Sequence, residues 1–187
     1  TTLCSMPLYL VTRNPGIKTV RDYGPSDRIS IAGAGSSIQT IVLQMAVAKE
    51  FGIANYAKLN PNMINLPHPD GLTALLAGDK QIESLLAAPP YQNQALERPG
   101  IRRVLSSYEV LGGPATFDLA WPTGRFRDAN PKTYQAIVAA LEEATQIINR
   151  DKRAAAELYK TMANDKSPVE NLYRLLAHPE MEFTTIP

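Results

Sequence analysis

The chain has 187 residues, a formal net charge of +1, 20% charged residues and one cysteine, Cys4. That balance holds no basic stripe for nucleic acid and no acidic tail, and a single thiol excludes an internal disulfide; no apolar run approaches the roughly 18 residues of a membrane helix. The length suits one large domain or two smaller lobes, and the opening on Thr1-Thr2 without an initiator methionine reads as a mature form or a fragment.

Strands and helices alternate along the chain. Residues 7–13 are rich in Leu, Tyr and Val and predict a strand, ended by the turn signal Asn14-Pro15-Gly16. Residues 17–23 predict one helical turn before Gly24-Pro25-Ser26-Asp27. A strand over 28–32 then enters a helix over 37–51, in which Ile38, Ile41, Val42, Met45 and Ala46 recur at helical spacing and which Gly52 stops. Further strands are predicted over 62–66, 82–88 and 101–106, with a helix from Pro69 to Gly78 and a short one through Gln94 and Leu96. Residues 28–108 therefore read as an open parallel α/β sheet. Beyond Gly112-Gly113-Pro114 a strand over 115–121 is followed mainly by helices, over 131–149, 151–164 and 168–177. Asn130 before Pro131 marks the start of the first, and its Tyr134, Ile137, Val138, Leu141, Ala144, Ile148 series predicts one core-facing stripe.

The chemistry-bearing segment is Arg28-Ile-Ser-Ile-Ala-Gly-Ala-Gly-Ser-Ser-Ile-Gln-Thr40, a strand passing through a glycine turn into a helix that opens on two hydroxyls. A helix start carries unpaired N–H groups and partial positive charge, so it can cradle a small oxyanion without a cationic side chain. Gly33 and Gly35 supply conformational freedom, and Ser36 or Ser37 can cap the helix or donate to a ligand; the same junction also occurs in α/β units that hold only water. Ligands of open α/β sheets sit beyond the carboxyl ends of the strands, which brings three loops to one edge: 32–37, 66–69 and 87–91. Candidate contacts there are Gly35, Ser36, Ser37, His68, Pro89, Pro90 and Tyr91, with Trp121 offered from outside the central segment. His68 reads either as a cleft residue or as a solvated loop histidine. Tyr91 and Trp121 read either as covers for a ligand's apolar part or as packing.

Cofactor patterns fail in this sequence. Ile38 stands where a dinucleotide fingerprint needs its third glycine, no acidic residue ends the next predicted strand at Leu66, and no Gly-Lys-Ser/Thr of a phosphate-binding loop is present. His68 and His178 have no cysteine or carboxylate at metal-ligand spacing, and Cys4 has no histidine base near it in sequence. No cofactor, metal or catalytic residue is expected.

Four runs carry a family resemblance: MPLYLVTRNPGIKTVRDY, RISIAGAGSSIQTIVLQMAVAKEFG, HPDGLTALLAGDKQIESLLAAPPYQNQAL and VLGGPATFDLAWPTGRFRDANPKTYQAIVAALEEA. They resemble the periplasmic solute-binding proteins of ABC importers for nitrate, sulfonate, taurine and bicarbonate. The resemblance implies an α/β fold of the two-lobed, type II periplasmic-binding-protein architecture, with residues 1–27 and 109–187 in the first lobe and 28–108 in the second. It implies a small anionic or sulfonate-like solute held between the lobes, an ABC permease as partner, and a periplasmic or lipid-anchored location on the outer face of the inner membrane. The family's opening strand–helix block has no counterpart before Thr1, so the first lobe reads as incomplete, and the expectation is either further residues outside this sequence or a dimer formed on exposed strand edges. An enzyme of the same fold, such as a pyrimidine-precursor synthase or a desulfinase, is the alternative, and a ligand-sensing domain without transport is a third.

Overall fold

The chain opens with two short strands, β1 (Thr2–Ser5) and β2 (Tyr9–Thr12), interrupted at Met6-Pro7-Leu8. Proline has no N–H to give to a ladder, and the two strands enter different sheets of the computed structural model, which describes residues 1–78 and 81–186. They also belong to different compact units. One unit comprises Thr1–Met6 with Pro114–Pro187, the other Pro7–Gly113.

The Pro7–Gly113 unit continues with β3 (Ile29–Ile31), α1 (Ile38–Phe51), β4 (Met63–Asn65), α2 (His68–Ala77), β5 (Ser84–Ala87), α3 (Tyr91–Leu96), β6 (Arg102–Ser106) and α4 (Ser107–Leu111). Its strands form one sheet in the order β4-β3-β5-β2-β6. β3 is parallel to β4 and β5, as the alternation of strands and helices predicts, but β2 lies antiparallel between β5 and β6. The sheet is therefore mixed, and it lies within the compact unit Pro7–Gly113. All four residues of β2 are buried, so Tyr-Leu-Val-Thr is an interior strand with neighbours on both edges.

Strand residues alternate between faces. Tyr9 and Val11 pair with Ala87 and Leu85, and they pack with Leu72 and Leu75 of α2 and Ala95 of α3. α2 comes close to the sheet because position 71 is glycine. A β-carbon there would lie 2.2 Å from Ser30 Oγ and 3.0 Å from Leu85 Cδ1. Polar groups in this interior are tied to one another: Tyr23 donates to Ser84 Oγ (2.9 Å), which donates to Thr12 Oγ1 (2.9 Å). Gln92, 1% exposed, accepts from the Tyr9 amide (2.7 Å) and donates to the Pro7 carbonyl (2.9 Å), fixing α3 to the entry of β2. α4 is not among the elements expected from the sequence. Ser106 and Glu109 form a capping box that starts the helix, and Gly112 ends it in the left-handed region.

The second unit builds β7 (Thr116–Leu119), α5 (Gly124–Ala129), α6 (Pro131–Arg150), α7 (Lys152–Met162), α8 (Val169–Leu176) and β8 (Glu182–Phe183). β1 is the central strand of its sheet, antiparallel to both β7 and β8. Asp151 caps α7 by accepting from the amides of Arg153 (3.1 Å) and Ala154 (2.9 Å), and α7 packs on α8. The apolar stripe of α6 departs from its predicted core role: no residue of that helix is fully buried. Ile137 is 45% exposed, Ala144 is exposed, and Tyr134, Val138, Leu141 and Ile148 are half-buried. A three-stranded sheet gives this unit a thin core, whose buried apolar members are Cys4, Ala155, Ala156, Leu172 and Met181.

Candidate functional site

Three loops leave the carboxyl ends of β3, β4 and β5 on the same edge of the five-stranded sheet, because those strands are parallel. The loop after β3 turns through Gly33 (φ 65°) and Gly35 (φ 97°), a region of backbone space that side chains with a β-carbon rarely enter. At Gly35 a β-carbon would meet nothing within 4 Å, so conformation rather than space calls for glycine there.

Most amides of this turn are already engaged. Those of Gly33 and Ala34 donate to Asn65 Oδ1 (3.0 and 3.3 Å), that of Gly35 to Thr40 Oγ1 (3.0 Å), and those of Ser36 and Ser37 to the Gly33 carbonyl (3.1 and 3.0 Å). Ser37 is the N-cap of α1, accepting from the Thr40 amide at 3.3 Å. The Gly35, Ser36 and Ser37 amides thus close the turn on itself. The donors left over are the amides of Ile38 and Gln39, the first two of α1, beside the exposed Ser36.

The loops also touch through side chains. Gln39 Nε2 lies 3.2 Å from His68 Nε2, at the first residue of α2, and the His68 ring stacks on Tyr91, at the first residue of α3, with centroids 5.6 Å apart. Pro89 and Pro90, both half-buried, lead from β5 into α3. His68 is neither free in solvent nor fully enclosed: its Nδ1 is buried without a hydrogen-bond partner, and burial holds the imidazole below its ordinary basicity. The structure therefore links His68 and Tyr91 through the ring stack and ties both to α1 through Gln39, two residues beyond Ser37. Gln39, Thr40 and Asn65 are the members that sequence reasoning missed. Gln39, buried in the first turn of α1, was the available signal, since a polar side chain buried there needs a polar partner.

Trp121 belongs to the other unit. It is 77% exposed and lines an apolar groove of about 320 Å³ with Phe126, Tyr134, Ile137, Val138 and Leu141. Cys4, in the same unit, is buried in β1; burial first, and the Asp118 carboxylate second, raise the thiol's pKa above its usual range. Among the described residues no group of three His, Cys, Asp or Glu side chains is placed to hold a metal ion, and no helix is long and apolar enough to cross a membrane.

The model of the NMT1-like family matches residues 11–163, most of the chain and all of the cluster just described. The chain belongs to the NMT1-like family. Its structure is similar to that of the periplasmic aliphatic sulphonate binding protein SsuA from Escherichia coli, with a TM-score of 0.70 and 18% identity over 97% of this chain and 58% of that one. The alkanesulfonate-binding protein SsuA from Xanthomonas axonopodis pv. citri, bound to MOPS, gives a TM-score of 0.68 at 18% identity, over 100% of this chain and 62% of that one. A periplasmic sulfonate-binding protein SsuA from Methylobacillus flagellatus gives 0.61 at 19%, over 93% and 51%. These likenesses show that the NMT1-like chain has the mixed α/β fold of periplasmic binding proteins, and that it spans about three fifths of the length of the first two. No curated protein matches it.

Proposed function

We propose that this NMT1-like chain takes part in capturing a small oxyanion, of the sulfonate, taurine, nitrate or bicarbonate class, for an ABC importer. The observation that carries the reading is the pair of undonated amides at Ile38 and Gln39, set at the end of a parallel strand beside Ser36 and the His68–Tyr91 stack. Two N–H groups at a helix start form a fork for one anion, and the aromatic pair offers an apolar wall for whatever the anion is attached to. Periplasmic binding proteins as fold relatives support the reading, and with it a location outside the inner membrane and a permease as partner.

Replacing Ile38 by proline tests the fork. Proline is well tolerated at the first position of a helix, Ser37 already has the extended conformation a pre-proline residue prefers (φ −83°, ψ 163°), and the change deletes one of the two donors. In calorimetric titrations with ethanesulfonate, taurine, nitrate and bicarbonate, one of these anions binds the native chain. I38P keeps its helical circular dichroism and binds that anion about ten- to a hundredfold more weakly, the loss of one hydrogen bond to a charged group. Undiminished binding by I38P removes the fork from the site.

A further inference from the structure

His68 sits in the cluster without a countercharge. Burial lowers its basicity, and among the described residues no carboxylate forms an ion pair with the ring. The first turn of α1 holds no acidic residue, α3 contributes the Tyr91 phenol, and the one carboxylate on its own first turn, Asp70, makes no hydrogen bond or ion pair with it. The Gln39 amide nitrogen faces Nε2, which therefore accepts, and the ring proton stands on Nδ1, where nothing receives it. A second proton would make both ring nitrogens donors and would turn the Gln39 amide over to present its oxygen. What this cluster then lacks is a negative charge.

We propose that anion capture at the start of α1 is coupled to protonation of His68, so that the site holds a strong-acid anion as an ion pair with an imidazolium. The inference rests on the anion-capture reading above. Gln39 links the two halves: its backbone amide is one prong of the fork and its side chain touches the imidazole. An anion on the fork supplies the countercharge, raising the His68 basicity, and by linkage protonation of His68 tightens the anion by the same factor. The sign follows. Affinity is lowest at high pH, rises as pH falls through the raised value of the bound state, and levels below the lowered value of the free state. A rise of one unit on binding corresponds to tenfold tighter capture.

Ethanesulfonate is a suitable probe because it stays fully ionised from pH 5 to 8, so any pH dependence belongs to the protein. Calorimetric titration of the native chain gives a dissociation constant about tenfold smaller at pH 5.5 than at pH 7.5, and the His68 ring nitrogens, followed by ¹⁵N NMR, titrate about one unit higher when the anion is bound. His68→Gln keeps a hydrogen-bonding partner for Gln39 but cannot titrate, and its affinity is flat over the same range. Gln39→Glu supplies a built-in countercharge, so His68 titrates higher without the anion and the pH dependence shrinks. Ethanesulfonate binding that does not vary with pH in the native chain, or that varies equally in H68Q, overturns the coupling and leaves the fork standing. Absence of ethanesulfonate binding at every pH, with no shift at the Ile38 and Gln39 amides, removes the sulfonate fork and the coupling together.

Discussion

Gly71→Ala is the sharpest test of how α2 is seated on the sheet. The new methyl would lie 2.2 Å from Ser30 Oγ, 3.2 Å from Ser30 Cβ and 3.0 Å from Leu85 Cδ1, so the helix must retreat or its neighbours must shift. Restoring ordinary separation needs a movement of about 1 Å, enough to forfeit a quarter to a half of the dispersion contact along that face. A contact as short as 2.2 Å belongs in the upper part of the overpacking range, about 2–3 kcal/mol, while alanine's better helix propensity offsets about 1 kcal/mol, leaving a net destabilisation of about 1–2 kcal/mol. Ser30→Ala removes the closest clash. Its Oγ is buried and has no hydrogen-bond partner, so S30A alone is neutral or stabilising, and in that background G71A costs about 1 kcal/mol less. Urea unfolding of the four proteins, at constant m, measures the cycle. G71A as stable as the native chain, or equally costly in both backgrounds, would refute the close seating of α2 on β3.

Gln92→Met keeps the volume of a side chain 1% exposed but strands the Tyr9 amide and the Pro7 carbonyl, and urea unfolding should show a loss of about 2–4 kcal/mol. Tyr23→Phe removes the hydroxyl that donates to Ser84, at a cost of about 1 kcal/mol near neutral pH. Burial raises the Tyr23 phenol far above its ordinary value, so the native chain holds that proton where the unfolded chain releases it. The stabilisation is present in full below about pH 10 and is lost as pH rises beyond it; stability measured from pH 9 to 11 therefore falls less steeply in Y23F than in the native chain.

Local chemistry made parts of this architecture readable in advance. The β3–α1 junction was legible because glycines with positive φ and a serine cap leave marks within ten residues, and α6 because Asn130-Pro131 announces its start. β2 was legible as a strand but not as the antiparallel member between β5 and β6, since that placement is decided by partners at Leu85 and Leu105, far along the chain. The Gly112-Gly113 pair concealed α4, whose capping box lies just before it. At the site, Ser36, Ser37, His68 and Tyr91 could be nominated from strand ends, but the link from α1 to His68 and Tyr91 through Gln39 depends on how three helices abut, which periodicity does not encode.

The seat of β2 has a consequence for the order of assembly. Thr12 meets Ser84 across a separation of 72 residues, and β6 comes later still. On a ribosome the first strand of this sheet is synthesised before any of its neighbours exist, and it must wait, extended and apolar, until nearly the whole unit has emerged. Closing so long a loop is slow relative to helix formation, so the opening segment is the last to be locked and the part most exposed to capture by a chaperone.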